Sequence, residues 1–102
     1  MSYHQLVHVT PAAVTANTSF GDMTIQHRGR LSITIAVSAA AVLSLYHNSV
    51  ALKLNGGVAL TADCLYTFTI AVDPSTPYKT LALRCDQNVT VRYCVCELDC
   101  DD

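Results

Sequence analysis

Alternation of residue types constrains the fold of this chain more than any other sequence feature. Large apolar side chains recur at every second position in one stretch, at Tyr66, Phe68, Ile70 and Val72. Because successive side chains of a β-strand point to opposite faces, this period predicts a strand with one row against a core. Upstream, Asn55-Gly56 separates two apolar runs, and both residue types tolerate the positive φ angles of a type I′ turn. The pattern predicts a hairpin corner at Asn55-Gly56, followed by the longest strand of the chain at residues 64–72.

Shorter segments of similar character predict the remaining strands. They lie at residues 5–9, 23–27, 31–37, 42–46, 50–54, 80–85 and 89–96. Turn residues separate them, and residues 28–30 (Arg-Gly-Arg) and 73–77 (Asp-Pro-Ser-Thr-Pro) are among the predicted turns. The alanines at 39–41 are compatible with helix as well. Strands and turns at this spacing are typical of an all-β fold. We predict a single antiparallel β-sandwich, jelly-roll-like, of roughly eight strands, occupying residues 1–102 as one domain. Residues 1–21 are a candidate extended arm, and residues 97–102 form an acidic tail.

The same alternation predicts which residues share the core. We expect Tyr66, Phe68, Ile70, Val91 and Tyr93 to belong to one cluster, with Cys94 and Cys96 on the opposite face of the last strand.

The balance of apolar and charged residues bears on assembly. Hydrophobic residues make up 51% of the 102 positions and charged residues 14%, against a usual charged share of about 25%. One explanation is a monomer whose surface is covered by hydroxyl groups. The explanation that we prefer is a subunit that buries its outer faces against copies of itself, first of all in a trimer. The net charge is −2 and the basic residues are scattered, so we expect no nucleic-acid partner.

A long uncharged stretch and the first residues of the chain bear on a membrane or secretory role. Residues 31–52 contain no charged side chain, which is about the length of a membrane span. Several serines and the alternation of Leu31, Ile33 and Ile35 instead favour a strand. The first residues do not resemble a signal peptide. We therefore expect no membrane partner.

The five cysteines offer the clearest candidates for chemistry. They are Cys64, Cys85, Cys94, Cys96 and Cys100. The last three lie among acidic residues and suggest zinc, but the C-x-C spacing on one strand differs from that of structural zinc sites. Neighbours on one strand face are also poorly placed for a mutual disulfide. We expect free thiols, no metal, and a disulfide to another molecule at Cys100 if any forms; free thiol, inter-subunit disulfide and metal site stay open as alternatives.

The histidines suggest no catalytic or metal site. His4, His8, His27 and His47 are dispersed, and no nucleophile elbow or phosphate-binding loop accompanies them. We expect no catalytic residue, no cofactor and no enzyme activity.

Residues 52–68, which read LKLNGGVALTADCLYTF, resemble the middle of small virion structural proteins of tailed bacteriophages. The segments NVTV at 88–91 and VCELD at 95–99 resemble the end of the same proteins. The resemblance covers about the C-terminal two thirds of the chain; the N-terminal third and the cysteine-rich end depart from the pattern.

The resemblance implies a non-enzymatic β-sandwich of the virion. Its first implication is a capsid decoration (cement) protein that binds the major capsid protein and stabilises the head. A head–tail or tail accessory protein, bound to another virion protein, is the close alternative. A small β-sandwich that binds a carbohydrate or a receptor is the alternative from a different class.

Overall fold

The computed structural model describes residues 2–9, 11–47, 50–73 and 80–100. Nine strands and one 3-10 turn at Asn55–Gly57 make up its regular structure. The strands are β1 (Ser2–Val9), β2 (Ala12–Val14), β3 (Phe20–Thr24), β4 (Gly29–Val37), β5 (Leu43–His47), β6 (Val50–Lys53), β7 (Tyr66–Val72), β8 (Thr80–Cys85) and β9 (Val89–Cys100).

The strand order is that of a jelly roll. The first sheet has the order β1-β9-β4-β7, and β2 continues along the edge of β9 that β1 occupies; the second has the order β3-β8-β5-β6. All pairs are antiparallel. Strands early in the chain pair with late ones: β1 and β2 with β9, β3 with β8, β4 with β7, and β5 with β6. Rolling this ribbon brings β4 against β9 and β5 against β8, which gives the eight positions of a jelly-roll sandwich. The predicted fold class is confirmed.

The core lies between the two sheets and is built by the alternation described above. Leu31, Ile33 and Ile35 of β4 are fully buried, while Ser32 and Thr34 between them are only half-buried on the outer face. Leu43 and Leu45 of β5 and Leu81 and Leu83 of β8 bury the facing rows of the second sheet. Each such side chain contributes about 1.5–3 kcal/mol by leaving water.

The Asn55-Gly56 turn forms as predicted, but it does not join two paired strands. Both residues have positive φ (56° and 63°), and the amide of Gly57 donates to the carbonyl of Leu54 at 3.1 Å. The amides of Leu54 and Leu60 donate to the carbonyls of Leu43 and Ala41, respectively. Residues 55–59 therefore form a loop between Leu54 and Leu60, which pair with successive positions of the same neighbouring segment. The predicted hairpin is wrong. Local φ preferences fix the turn, whereas Leu43 at the start of β5 and Ala41 just before it supply the acceptors for the two flanks.

A β-bulge in β9 overturns one predicted core residue. Ala36 of β4 is opposite Tyr93 and Val37 is opposite Val91, so Arg92 has no partner in the register. The extra residue reverses which side chains face inward. Val91 is buried, and Tyr66, Phe68 and Ile70 pack partly buried against the same cluster as predicted, but Tyr93 is 43% exposed. Cys94 and Cys96 share a face as expected, and that face is the core.

The described residues at both ends of the chain belong to the first sheet. Within the candidate arm 1–21, residues 2–9 and 12–14 pair with β9 of the same chain. Within the predicted acidic tail, residues 97–100 are the end of β9, where Leu98 and Cys100 are buried. The longest described strand is β9 and not β7, because the predicted tail extends it.

The predicted turn at residues 28–30 is also wrong. Gly29 and Arg30 open β4, and Gly29 is opposite Val72 on one side and Cys100 on the other. The residue is glycine because of close approach: a Cβ here would lie 2.1 Å from the carbonyl oxygen of Asp99. The predicted turn at 73–77 lies almost wholly outside the described residues. In the described part of the chain, no helix is long and apolar enough to cross a membrane.

Candidate functional site

The structure separates the cysteines into one exposed and four buried thiols. Cys64 is exposed in the link before β7, while Cys85 and the three cysteines of β9 are buried in the core. Across the described residues, no three metal-ligating side chains come together. Cys94, Cys96 and Cys100 point away from the solvent face that carries Glu97, because they occupy the core row of β9. His8 and His27 are exposed, and the side chains of His4 and His47 lie outside those described.

Burial and mutual contact set the ionisation of the core thiols. Burial raises the pKa of the Cys85 thiol to about 11, and the carboxylate of Asp86 and the nearby Cys94 add to the effect. The Cys96 thiol donates a hydrogen bond to Cys94, which raises the pKa of Cys96 and lowers that of Cys94. Desolvation raises the pKa of Cys96 further. Cys85 and Cys96 are therefore uncharged, apolar core groups near neutral pH.

The burial of Cys100 overturns its predicted role as the residue that forms disulfides. Cys100 is 2% exposed at the end of β9, opposite Gly29. A thiol must reach its partner as an accessible thiolate, and Cys64 is the thiol that meets this condition. Any disulfide to another molecule is expected at Cys64.

We predict that one thiol of the native protein reacts rapidly with a water-soluble disulfide reagent. Cys64 should react at once and the other four only as the protein unfolds, because burial shields them. Thiol titration in buffer and in denaturant measures this. Cys64→Ser should abolish the fast phase, and two or more fast equivalents in the native protein would contradict the placement of the β9 cysteines in the core.

We also predict that stability falls in alkaline solution because of Cys85. Above about pH 9 the unfolded chain loses this proton while the folded protein keeps it until about pH 11. The contribution of Cys85 to the free energy of unfolding is therefore complete below about pH 9. Between pH 9 and pH 11 the free energy of unfolding falls by up to about 1.4 kcal/mol per pH unit. Denaturant unfolding of wild type and Cys85→Ala at pH 8, 9, 10 and 11 measures the difference, since other titrations cancel between the two proteins. Equal pH slopes for both would contradict the prediction.

The surface feature with the clearest capacity for binding is one side of the sandwich. β1 contacts β3, so these edges of the two sheets meet on one side, and β7 and β6 end the sheets on the other. In the described part of the chain, β7 pairs with β4 alone and β6 with β5 alone. We call β6, β7 and the residues 54–65 between them the open edge.

The inner row of β7 shows that the core is not fully covered at the open edge. Ile33 is completely buried, whereas Phe68, its direct partner on β7, is only half-buried. Leu52 of β6 is opposite the fully buried Leu45, yet it remains 40% exposed. Cross-strand partners share a face, so these side chains are core residues that lack a neighbour on one side.

Specific contacts hold the open edge in shape. The rings of Tyr66 and Phe68 stack with centroids 6.1 Å apart. The hydroxyl of Tyr66 accepts a hydrogen bond from the amide of Thr61 at 2.9 Å, which ties the link to β7. On the outer face, Thr67 is within 3.3 Å of the Thr34 hydroxyl. Within the described residues, these contacts fix the edge although no further strand pairs with it.

The open edge is apolar and almost without charge. Val58 and Leu65 are 63% and 64% exposed, the largest exposures among the big apolar side chains described. β7 contains no charged residue, and Lys53 is the single charge of β6. Asp63 in the link forms an ion pair with the bulge residue Arg92. That pair is more than half exposed and contributes at most about 1 kcal/mol.

Two other surface features are weaker candidates for a binding site than the open edge. A cleft of about 250 Å³ lies between β1, the end of β3 and β9, lined by Leu6, Thr24, Gln26, His27 and Leu98. On the outer face of the first sheet, the exposed ring of Tyr93 meets His8 edge-on, with centroids 6.5 Å apart. Tyr93 reaches this face because of the β9 bulge, a cause that no sequence period reveals.

The fold and this edge define the class: a jelly-roll β-sandwich whose described residues leave one side open. Comparison with protein-family models, with curated proteins and with solved structures finds no match. The resemblance to phage virion proteins therefore stays a prediction.

Proposed function

We propose that this chain is a non-enzymatic structural protein of a bacteriophage virion, and that it decorates and stabilises the capsid. The proposal rests on the resemblance of residues 52–68, 88–91 and 95–99 to small virion proteins, and on the open edge. Its partners are copies of itself and the major capsid protein, and it resides on the virion after assembly in the host cytoplasm.

The observation that carries the proposal is the uncharged, incompletely covered strand β7. Soluble monomers guard such edges with lysine, proline, bulges or a covering loop, because an exposed ladder of amide and carbonyl groups pairs with other chains. β7 has none of these residues among its seven, and Tyr66, Phe68 and Ile70 of its inner row are only partly buried. An edge of this kind suits a subunit that functions within an assembly.

The resembling segments coincide with this feature. Residues 52–68 contain the end of β6, the Asn55-Gly56 turn and the start of β7, which together are most of the open edge. The other two segments lie at the beginning of β9 and near its end. What resembles virion proteins is thus mainly the part of this chain suited to contact neighbours.

The test is the protein content of phage particles purified from the source of this sequence. Quantitative mass spectrometry should find the chain in high copy, comparable with the major capsid protein, and particles lacking it should lose DNA more readily on heating. A few copies per particle would favour the alternative role at the head–tail junction or tail. Absence from purified particles would overturn the proposal.

A second candidate is a module that binds a carbohydrate or a receptor. Tyr93 favours it, because an exposed aromatic ring that contacts His8 on the outer face of a sheet is suited to stacking against a sugar. Binding to a glycan array that is lost in Tyr93→Ala but kept in Thr80→Ala, an exposed control on β8 of the second sheet, would support it. No binding by the wild-type protein would remove this candidate.

A further inference from the structure

We propose that two copies of this chain pair through β7, antiparallel about a two-fold axis at Thr69, so that the first sheets of the two copies form one continuous sheet. The proposal names a partner for the open edge and deepens the proposed function. It rests on the geometry of β7 and holds or fails separately from the virion assignment.

The first argument is the pairing of side chains. With the axis at Thr69, the centre of β7, all seven residues of each strand find partners. Phe68 then lies opposite Ile70 of the second copy, Tyr66 opposite Val72, and Thr67 opposite Ala71. Aromatic and β-branched residues are among the favourable cross-strand pairs, and here they fall on the inner row, which lacks a neighbour.

The second argument is charge. No charged side chain opposes another within the fourteen-residue ladder, because residues 66–72 carry none. The nearest acidic residue, Asp73, lies just beyond the end of β7, and its two copies would be separated by about 26 Å along the paired strands at about 3.3 Å per residue. A second copy therefore meets no repulsion at the ladder, whereas a strand with charges of either sign would bury them unpaired.

The third argument is what the pairing covers. The partly buried side chains of Tyr66, Phe68 and Ile70 gain the neighbour that β4 already provides on their other side. The ladder also satisfies the amide and carbonyl groups of β7 that point away from β4. The result is a two-fold dimer, in place of the trimer expected from composition.

Sedimentation equilibrium and cross-linking test the inference. Wild-type protein at micromolar concentration should sediment as two copies of the 11.0 kDa chain. Thr69→Lys places two ammonium groups opposite each other at the axis and should weaken association at least about tenfold, since like charges directly opposed repel. Thr15→Lys adds the same charge at an exposed site away from β7 and should leave the dimer intact.

Engineered thiols locate the axis. In a Cys64→Ser background, Thr69→Cys should form a disulfide-linked dimer on mild oxidation, because position 69 faces itself across the axis. The matched variant Thr67→Cys should not, because it faces residue 71. A monomer or a trimer in sedimentation overturns the inference, as does a dimer in which Thr67→Cys cross-links as readily as Thr69→Cys. A dimer whose chain is absent from phage particles sustains the inference and removes the virion assignment alone.

Discussion

Gly29→Ala is expected to lower the free energy of unfolding by about 3 kcal/mol or more. The new methyl group would lie 2.1 Å from the carbonyl oxygen of Asp99, and 2.9 Å from its carbonyl carbon and from the Cα of Cys100. All three atoms belong to the backbone of β9, so no side-chain rotation relieves the overlap. The strands must separate where β4 is held between β7 and β9, and chemical denaturation followed by circular dichroism measures the loss.

Gly56→Ala is the matched control for this prediction. Nothing lies within 4 Å of a Cβ at Gly56, but its φ of 63° disfavours any L-residue. We expect a cost of about 1–2 kcal/mol from backbone conformation alone. If Gly29→Ala were no more destabilising than Gly56→Ala, the close packing of β4 against β9 would be wrong.

Ile33→Ala is expected to destabilise the protein by about 2–5 kcal/mol. Ile33 is completely buried at the middle of β4, where it faces Cys96 on β9 and Phe68 on β7. Removing its side chain forfeits the transfer free energy and leaves a cavity that two flanking strands prevent from collapsing. The change in denaturation midpoint at constant slope gives the value.

The neighbouring Thr34→Ala serves as its control. Thr34 lies on the outer face, and its hydroxyl is within hydrogen-bonding distance of Thr67. Its loss should cost less than about 1.5 kcal/mol, as expected for one exposed hydrogen bond. Similar losses for Ile33→Ala and Thr34→Ala would mean that the assignment of the two faces of β4 is wrong.

The candidate site was only partly predictable. The alternation at 66–72 predicted the strand and its inner row, and the low share of charged residues suggested that some surface is covered by another molecule. That β7 is the last strand of its sheet does not follow from its own residues. Phe68 looks like any core residue in the sequence; it is half-buried because β4 is its only described neighbour strand.

The cysteines likewise were only partly predictable from the sequence. Their number, and the shared face of Cys94 and Cys96, are evident from the sequence. The face that they share was predicted wrongly, because the unpaired residue Arg92 in the β9 bulge shifts the alternation by one position. A bulge is a property of how two strands pair, so the sequence of one strand carries little sign of it.

Local properties of the chain determined where strands and turns form: alternation sets the two faces of a strand, and the φ preferences of Asn55 and Gly56 set a turn. The tertiary structure decided which of these segments pair with one another and what each turn or glycine does in the fold. Leu54 and Leu60 pair with the segment leading into β5 instead of with each other, since that segment offers carbonyl acceptors at both positions. Gly29 serves close packing against Asp99 and not a turn, since its neighbour on β9 is 70 residues away in the chain. Strand partners at such separations are chosen by the burial of whole sheets, which no local pattern encodes.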